Sequence, residues 1–320
     1  MNATMMKQFT EFRRMLNGFW LSRVILTANN YGLFDRLIRP STAADLARKA
    51  GTDLRATEIL LDALTALGLL KKTGGTYRNT PLAKNFLVRG GPWYQGDMVR
   101  HADSLWQNWS GLDEILKTGK PARRARNHAS FIKAMHNNAV LRAKEVVAVI
   151  PLKGVRRALD LGGGPGTYSR ELAKRGIAVT LFDLSETIAV AKDLIPRVQA
   201  KRISFLEGDF LTGPIGAGYD LAFISQVLHV FSAQDNQRII SKVREALNPG
   251  GRVAIHEFAL DKSRTAPVPG ALFSVNMLVN TDGGRSYSVP EMKEWLKRTR
   301  FGKITEKRLG DTVVVTGKKK

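Results

Sequence analysis

Few residues of this chain combine a reactive side chain with a telling position, and the histidines come first. The segment ISQVLHVFS, residues 224 to 232, ends an apolar run on His229, with no acid beside it in the sequence. An imidazole placed there is either a general base or the polar residue that closes a strand. The other histidines (101, 128, 136 and 256) show no metal-ligand spacing such as HExxH, and the chain has no cysteine. Disulfides, thiolate metal sites and a cysteine nucleophile are thereby excluded, and no metal is expected.

A second group of residues gathers at the ends of apolar segments. ALDLGGGPGTYSREL, residues 158 to 172, reads as a strand, a glycine-rich turn and the start of a helix. Glycines let a backbone approach a ligand closely and adopt dihedrals closed to other residues. The spacing D-x-G-G-G-x-G differs from G-x-G-x-x-G, and no GK[ST] follows, so dinucleotide and P-loop readings lose their marks. Asp183 ends the next apolar segment, 23 residues after Asp160, where a carboxylate can accept both hydroxyls of a ribose. In EGDF, Asp209 and Phe210 close a third segment, a carboxylate and an apolar face suited to bracket an adenine. Together they imply an adenosine, and the missing phosphate features favour S-adenosylmethionine over NAD.

Such residues need a scaffold that brings strand ends together. From Arg156 onward, strands RALDL, AVTLFDL, ISFLEGDF, YDLAFISQVL and RVAIHEF alternate with helices over 166–175, 186–196 and 235–247. That rhythm predicts a Rossmann-like, doubly wound, mostly parallel α/β sheet, which binds ligands at the carboxyl ends of its strands. The ending FGKITEKRLGDTVVVTGKK adds a β-hairpin at the sheet edge. Upstream, residues 8 to 38 have helical periodicity. Thr42 and Asp45 then form a capping box, Gly51 ends that helix, Asp53 caps another, and Gly74-Gly75 turns a hairpin. Helix, turn, helix and β-wing make a winged-helix pattern, but its second helix, RATEILLDALTALG, offers little to read a base edge. An α-helical interaction or dimerisation module is the better reading. More helix fills 101 to about 148, before Pro151 and Gly154. The expected division is therefore 1–100 for dimerisation, 101–152 for linker helices and 153–320 for the ligand-binding sheet.

Composition bounds the remainder. The chain is 43% hydrophobic and 24% charged, an ordinary globular balance, and carries a formal net charge of +22. No apolar stretch approaches the roughly 20 residues that span a bilayer. The charged start MNATMMKQFTEFRRML lacks the apolar core of an export signal, so a cytoplasmic location without membrane insertion is expected. The basic residues, spread along the whole chain with local concentrations at KTGKPARRAR (117–126) and KKK, suit either solubility or attraction to nucleic acid. Nucleic acid remains a possible partner, not the favoured one, because no aromatic-interleaved basic motif appears.

The segments DLGGGPG, FDL, GDF, VLH, NPGGRVAIHE and NMLVNTDGGRSYS, in that order, resemble the small-molecule O-methyltransferases of the caffeic acid, hydroxyneurosporene and acetylserotonin type. The resemblance covers nearly the whole chain. It implies a homodimer formed by the N-terminal domain, with S-adenosylmethionine as cofactor and S-adenosylhomocysteine as product. The acceptor it implies is a hydroxyl on an aromatic or polyketide-like small molecule. By position, Asp160, Gly162, Gly163 and Gly164 match the methionine-side turn, and Asp183 with Leu184 the ribose contact. Asp209 and Phe210 match the adenine contacts, and Ser225 stands where plant members place a lysine near the cofactor. His229 matches the general base and Glu257 the acid that orients it, while Phe131, Met135, Met277 and Thr281 match acceptor-pocket positions. Two departures stand out: Val230-Phe231 follows the histidine where many members have Asp-Trp, and Ser286 stands near a second glutamate of plant enzymes.

Overall fold

The computed structural model describes residues 2–91, 93–122 and 127–320, so Arg123 to Arg126, four of the ten residues of the anticipated basic run, lie outside the described residues. The chain forms two compact units, Met1–Ser104 and Leu105–Lys320.

The first unit opens with α1 (Ala3–Leu16), α2 (Gly18–Asn30) and α3 (Leu33–Arg36). After the two-residue strand β1 (Ser41–Thr42) come α4 (Ala43–Ala50) and α5 (Leu54–Ala66), then β2 (Leu70–Thr73), β3 (Thr76–Asn79) and α6 (Pro81–Phe86). Local chemistry sets these boundaries. The Thr42 and Asp53 side chains accept the backbone N–H groups of Asp45 and Ala56, and Gly51 ends α4 in the left-handed region. The Asp45 carboxylate meets Arg48. β3 pairs with both β1 and β2, and Leu46, Leu61, Leu64 and Tyr77 fill the core beneath them. In α1, by contrast, no residue is buried.

Four helices follow: α7 (Gly96–Trp109), in which the boundary between the units falls, α8 (Leu112–Thr118), α9 (His128–Val140) and α10 (Ala143–Ala148). The sheet of the second unit then alternates with helices in chain order. Its elements are β4 (Arg157–Leu161), α11 (Thr167–Ala173), β5 (Ala178–Asp183), α12 (Ser185–Leu194), α13 (Arg197–Ala200), β6 (Ile203–Glu207), β7 (Tyr219–Ser225), α14 (Ala233–Ala246) and β8 (Leu247–Phe258). Helices α15 (Val268–Asn280) and α16 (Val289–Arg298) and strands β9 (Phe301–Leu309) and β10 (Thr312–Lys319) complete it. The strand order is β6-β5-β4-β7-β8-β10-β9, parallel from β6 to β8, with β10 antiparallel between β8 and the edge strand β9.

Side-chain alternation explains why this sheet is covered on both faces. Leu221 and Phe223 of β7 join a core with α10, α11 and α12, while Ala222 and Ile224 join the opposite core with α14 and α16. Three strand limits differ from the sequence expectation. β6 stops at Glu207, because Gly208 and the Asp209 turn follow. β7 stops at Ser225, before an irregular turn. β8 begins at Leu247, its Asn-Pro-Gly-Gly run absorbed as a register shift against β7. No helix of the described residues is long and apolar enough to cross a membrane.

Candidate active site

His229 sits beyond β7 in a short 3-10 turn, Leu228–Val230, and does not close a strand. The cause lies on the neighbouring strand. Glu257, near the end of β8, turns its carboxylate under the chain leaving β7. One oxygen, Oε1, accepts the backbone N–H groups of Val227 at 3.0 Å, Leu228 at 2.9 Å and His229 at 3.4 Å. Converging N–H groups require a tight bend, and Gln226 takes the left-handed conformation, φ 57°, that starts it. The other oxygen, Oε2, lies 2.7 Å from His229 Nδ1. Both residues are buried, Glu257 to 4% and His229 to 8% exposure. A carboxylate against Nδ1 fixes the tautomer with the proton on Nδ1, which leaves the Nε2 lone pair available. Nε2 makes no hydrogen bond to the described residues.

The turn is held from three more sides. Asn236 of α14 donates to Leu228 O at 2.8 Å, and the Tyr287 hydroxyl donates to Phe231 O at 2.6 Å. Gly284 packs against it so closely that an added Cβ would stand 2.3 Å from His229 O and 2.8 Å from Val230 O. Phe273 of α15 meets the imidazole edge-on, ring centres 4.8 Å apart, and itself stacks on Phe258. Sequence reasoning missed Phe273. Its signal was its position one helical turn before Met277, on the same face of α15.

On the other side of the crevice lies the glycine turn after β4. Gly162, at φ 68°, leaves no room for a side chain, since a Cβ would stand 2.6 Å from Val227. Gly162 and Gly163 donate to Phe182 O, and Gly164 donates to Asp183 Oδ2 at 2.8 Å. The other Asp183 oxygen accepts its neighbour's N–H, from Leu184, at 2.8 Å. Burial raises the Asp183 carboxyl above the usual range, opposed by those two N–H groups. Asp160, 1% exposed beneath the turn, accepts the Ser169 hydroxyl at 2.6 Å, and burial pushes its carboxyl up to about 7. Leu184 is 46% exposed at the rim. Asp209 and Phe210 lie on a turn past β6: Asp209 Oδ1 accepts Leu211 N–H, and Phe210 packs on Phe182 and Phe231. Leu184, Ser185, Glu186, Glu207, Gly208 and Asp209 line an open cleft of about 470 Å³, within the range of small-molecule sites.

The remaining anticipated positions are more dispersed. The Ser225 hydroxyl is 2.9 Å from His256 Nδ1, on the opposite face of β8 from Glu257, where Tyr168 also packs. Met277 is buried, and the Thr281 hydroxyl is taken up by Met277 O at 2.7 Å and Gly284 N–H at 3.0 Å. Phe131 and Met135, half-buried on α9, belong to a helix that packs on α11 and α12, the glycine-turn side. Ser286 is fully engaged too, its hydroxyl donating to Gly270 O at 2.8 Å. Among the described residues no cluster of His, Asp or Glu could hold a metal ion.

Known proteins resemble this chain over most of its length. Residues 93–302 match the O-methyltransferase domain and residues 14–89 the O-methyltransferase dimerisation domain. The 3-hydroxy-5-methyl-1-naphthoate 3-O-methyltransferase of Streptomyces sahachiroi is 33% identical over 299 residues, covering 88% of this chain and 86% of its own. Chicken (Gallus gallus) acetylserotonin O-methyltransferase is 30% identical, covering 92% of each. The crystal structure of human N-acetylserotonin methyltransferase in complex with SAM superposes with a TM-score of 0.91 at 25% identity, over 100% of this chain and 99% of that one.

Proposed function

The chain belongs to the O-methyltransferase family, and from that premise we propose that it moves a methyl group from S-adenosylmethionine to a hydroxyl of an aromatic or polyketide-like small molecule, with His229 as general base. The observation that carries this reading is the buried His229–Glu257 pair facing the glycine turn across the carboxyl ends of β4 and β7. The residues at the crevice fit the cofactor. Asp183 offers a carboxylate whose two oxygens each hold one backbone N–H and have lone pairs left for ribose hydroxyls. Gly162, Gly163 and Gly164 let the methionine portion approach the backbone, and Asp160 anchors the turn beneath. Leu184 and Phe210 supply apolar faces for the adenine, with Asp209 at its edge. When bound, S-adenosylmethionine supplies a methyl group already activated on a sulfonium.

The chain's own task is therefore positioning, water exclusion and proton removal. A phenol ordinarily ionises near pH 10, so at neutral pH its hydroxyl needs a base. His229 Nε2 takes that proton, and Glu257, through Nδ1–H, holds the ring's orientation and stabilises the imidazolium that forms. Phe273 limits the ring's rotation and, with Met277, walls the acceptor side. Phe131, Met135 and Thr281 complete that pocket in our reading. Residues 1–100 form the homodimer contact, supported by the dimerisation-domain match and by the uncovered apolar side chains of α1.

The test is a transfer assay with methyl-labelled S-adenosylmethionine and a panel of hydroxynaphthoates, N-acetylserotonin and cell extract. We expect label in the organic-soluble fraction. In His229→Ala the rate should fall about 10²- to 10⁴-fold, with S-adenosylhomocysteine still bound. Label that precipitates with RNA would overturn the acceptor class, and undiminished transfer by the alanine variant would remove His229 as the base.

A further inference from the structure

Helix α14 begins at its cap Ser232, three residues after His229, and near its far end carries Lys242. The half-buried ammonium of that lysine is committed to the main chain. Nζ donates to Phe210 O at 2.6 Å, Gly213 O at 3.0 Å and Leu211 O at 3.2 Å. An ammonium has three N–H donors, and all three are spent on one short loop. No carboxylate among the described residues forms an ion pair with it. The loop's other hydrogen bonds are internal: Leu211 N–H to the Asp209 carboxylate, and Thr212 and Gly213 N–H to Asp209 O. Lys242 thus ties residues 209–213 to a rigid helix, and the same helix holds the His229 turn through Asn236.

We propose that Lys242 is a positioning residue for cofactor affinity: it fixes the loop so that Asp209 and Phe210 stand ready to flank the adenine. This rests on the reading of Asp209 and Phe210 given above. Lys242 acts without touching the cofactor, by removing the freedom the loop would otherwise lose on binding. Charge-assisted bonds to three carbonyls are stronger than neutral ones, and the carbonyls border solvent, so their release loosens the loop and leaves the core intact.

The test is calorimetric titration of the full chain with S-adenosylhomocysteine. In Lys242→Met the Kd rises about tenfold, while the thermal midpoint of the ligand-free protein stays at the wild-type value. Lys242→Arg, which keeps charge and several donors, restores most of the affinity; a role in folding alone would produce neither the split nor the rescue. Should the methionine variant not fold, Lys242→Gln replaces it, with a smaller rise in Kd expected. A Kd within twofold of wild type in Lys242→Met, or in Lys242→Gln where that variant replaces it, overturns the proposal. Phe210→Ala separates the two layers. If it weakens binding while Lys242→Met does not, only the lysine's role fails. If Phe210→Ala binds as wild type, the adenine reading fails and the proposal with it.

Discussion

At the scale of single residues, Glu257 is the most consequential side chain that does not itself meet a substrate. Its carboxylate accepts from three backbone N–H groups and from the His229 ring, and an amide has too few acceptors to serve them all. Glu257→Gln is therefore expected to lower stability by about 2–4 kcal/mol, read by urea unfolding, and to cut the transfer rate beyond what that loss explains. An unchanged unfolding midpoint would mean that the N–H groups find other acceptors. His256, next in the chain, has the opposite character. Burial depresses its imidazole to about 4, and Nε2 has no hydrogen-bond partner among the described residues. An unfolded histidine titrates near 6.5, so between those values the unfolded chain binds a proton that the folded chain refuses. Stability is thus full above pH 6.5 and declines as pH falls toward 4. Denaturation at stepped pH should show the decline in wild type and a shallower one in His256→Phe; equal slopes would assign the acid loss to other groups. The sequence made Glu257 readable only through family resemblance. Its four-fold bonding depends on a bend at Gln226 that no periodicity announces.

At the scale of elements, the glycine turn and the helix caps were readable because each is a local event. Thr42, Asp53 and Gly51 act within four residues of themselves. What escaped is contact between segments far apart in the chain. The segment around Gly284 braces a turn some 55 residues upstream, and Phe273 reaches the imidazole from a helix whose pattern says only that one face is apolar. The Gly284 contact makes a sharp prediction. In Gly284→Ala the methyl group would press on the carbonyls of His229 and Val230, which are main-chain atoms and cannot rotate away. Transfer should drop at least tenfold, by analogy with small displacements of catalytic groups, while S-adenosylhomocysteine binding persists. Wild-type transfer would show that the turn relaxes without disturbing His229.

At the scale of the molecule, alternating strands and helices predicted the doubly wound sheet, since hydrophobic period and turn residues agree along its length. The first unit is different: α1 buries nothing, yet Met5, Phe9, Phe12 and Leu16 recur at helical spacing and are all exposed. Apolar side chains so arranged are covered in a stable assembly. Phe9→Glu combined with Phe12→Glu should shift sedimentation from dimer to monomer; a wild-type protein that sediments as a monomer would contradict this. The order of strands carries a separate consequence. β10, at residues 312–319, lies inside the sheet between β8 and β9, so the last strand in chain order is not the last in space. During synthesis, domains fold as units and the earlier ones first. The first unit can mature while translation proceeds, but β8 keeps an unpaired edge until residues 312–319 have been made. The sheet therefore stays open along β8, an edge ready to pair wrongly, until β10 has been made.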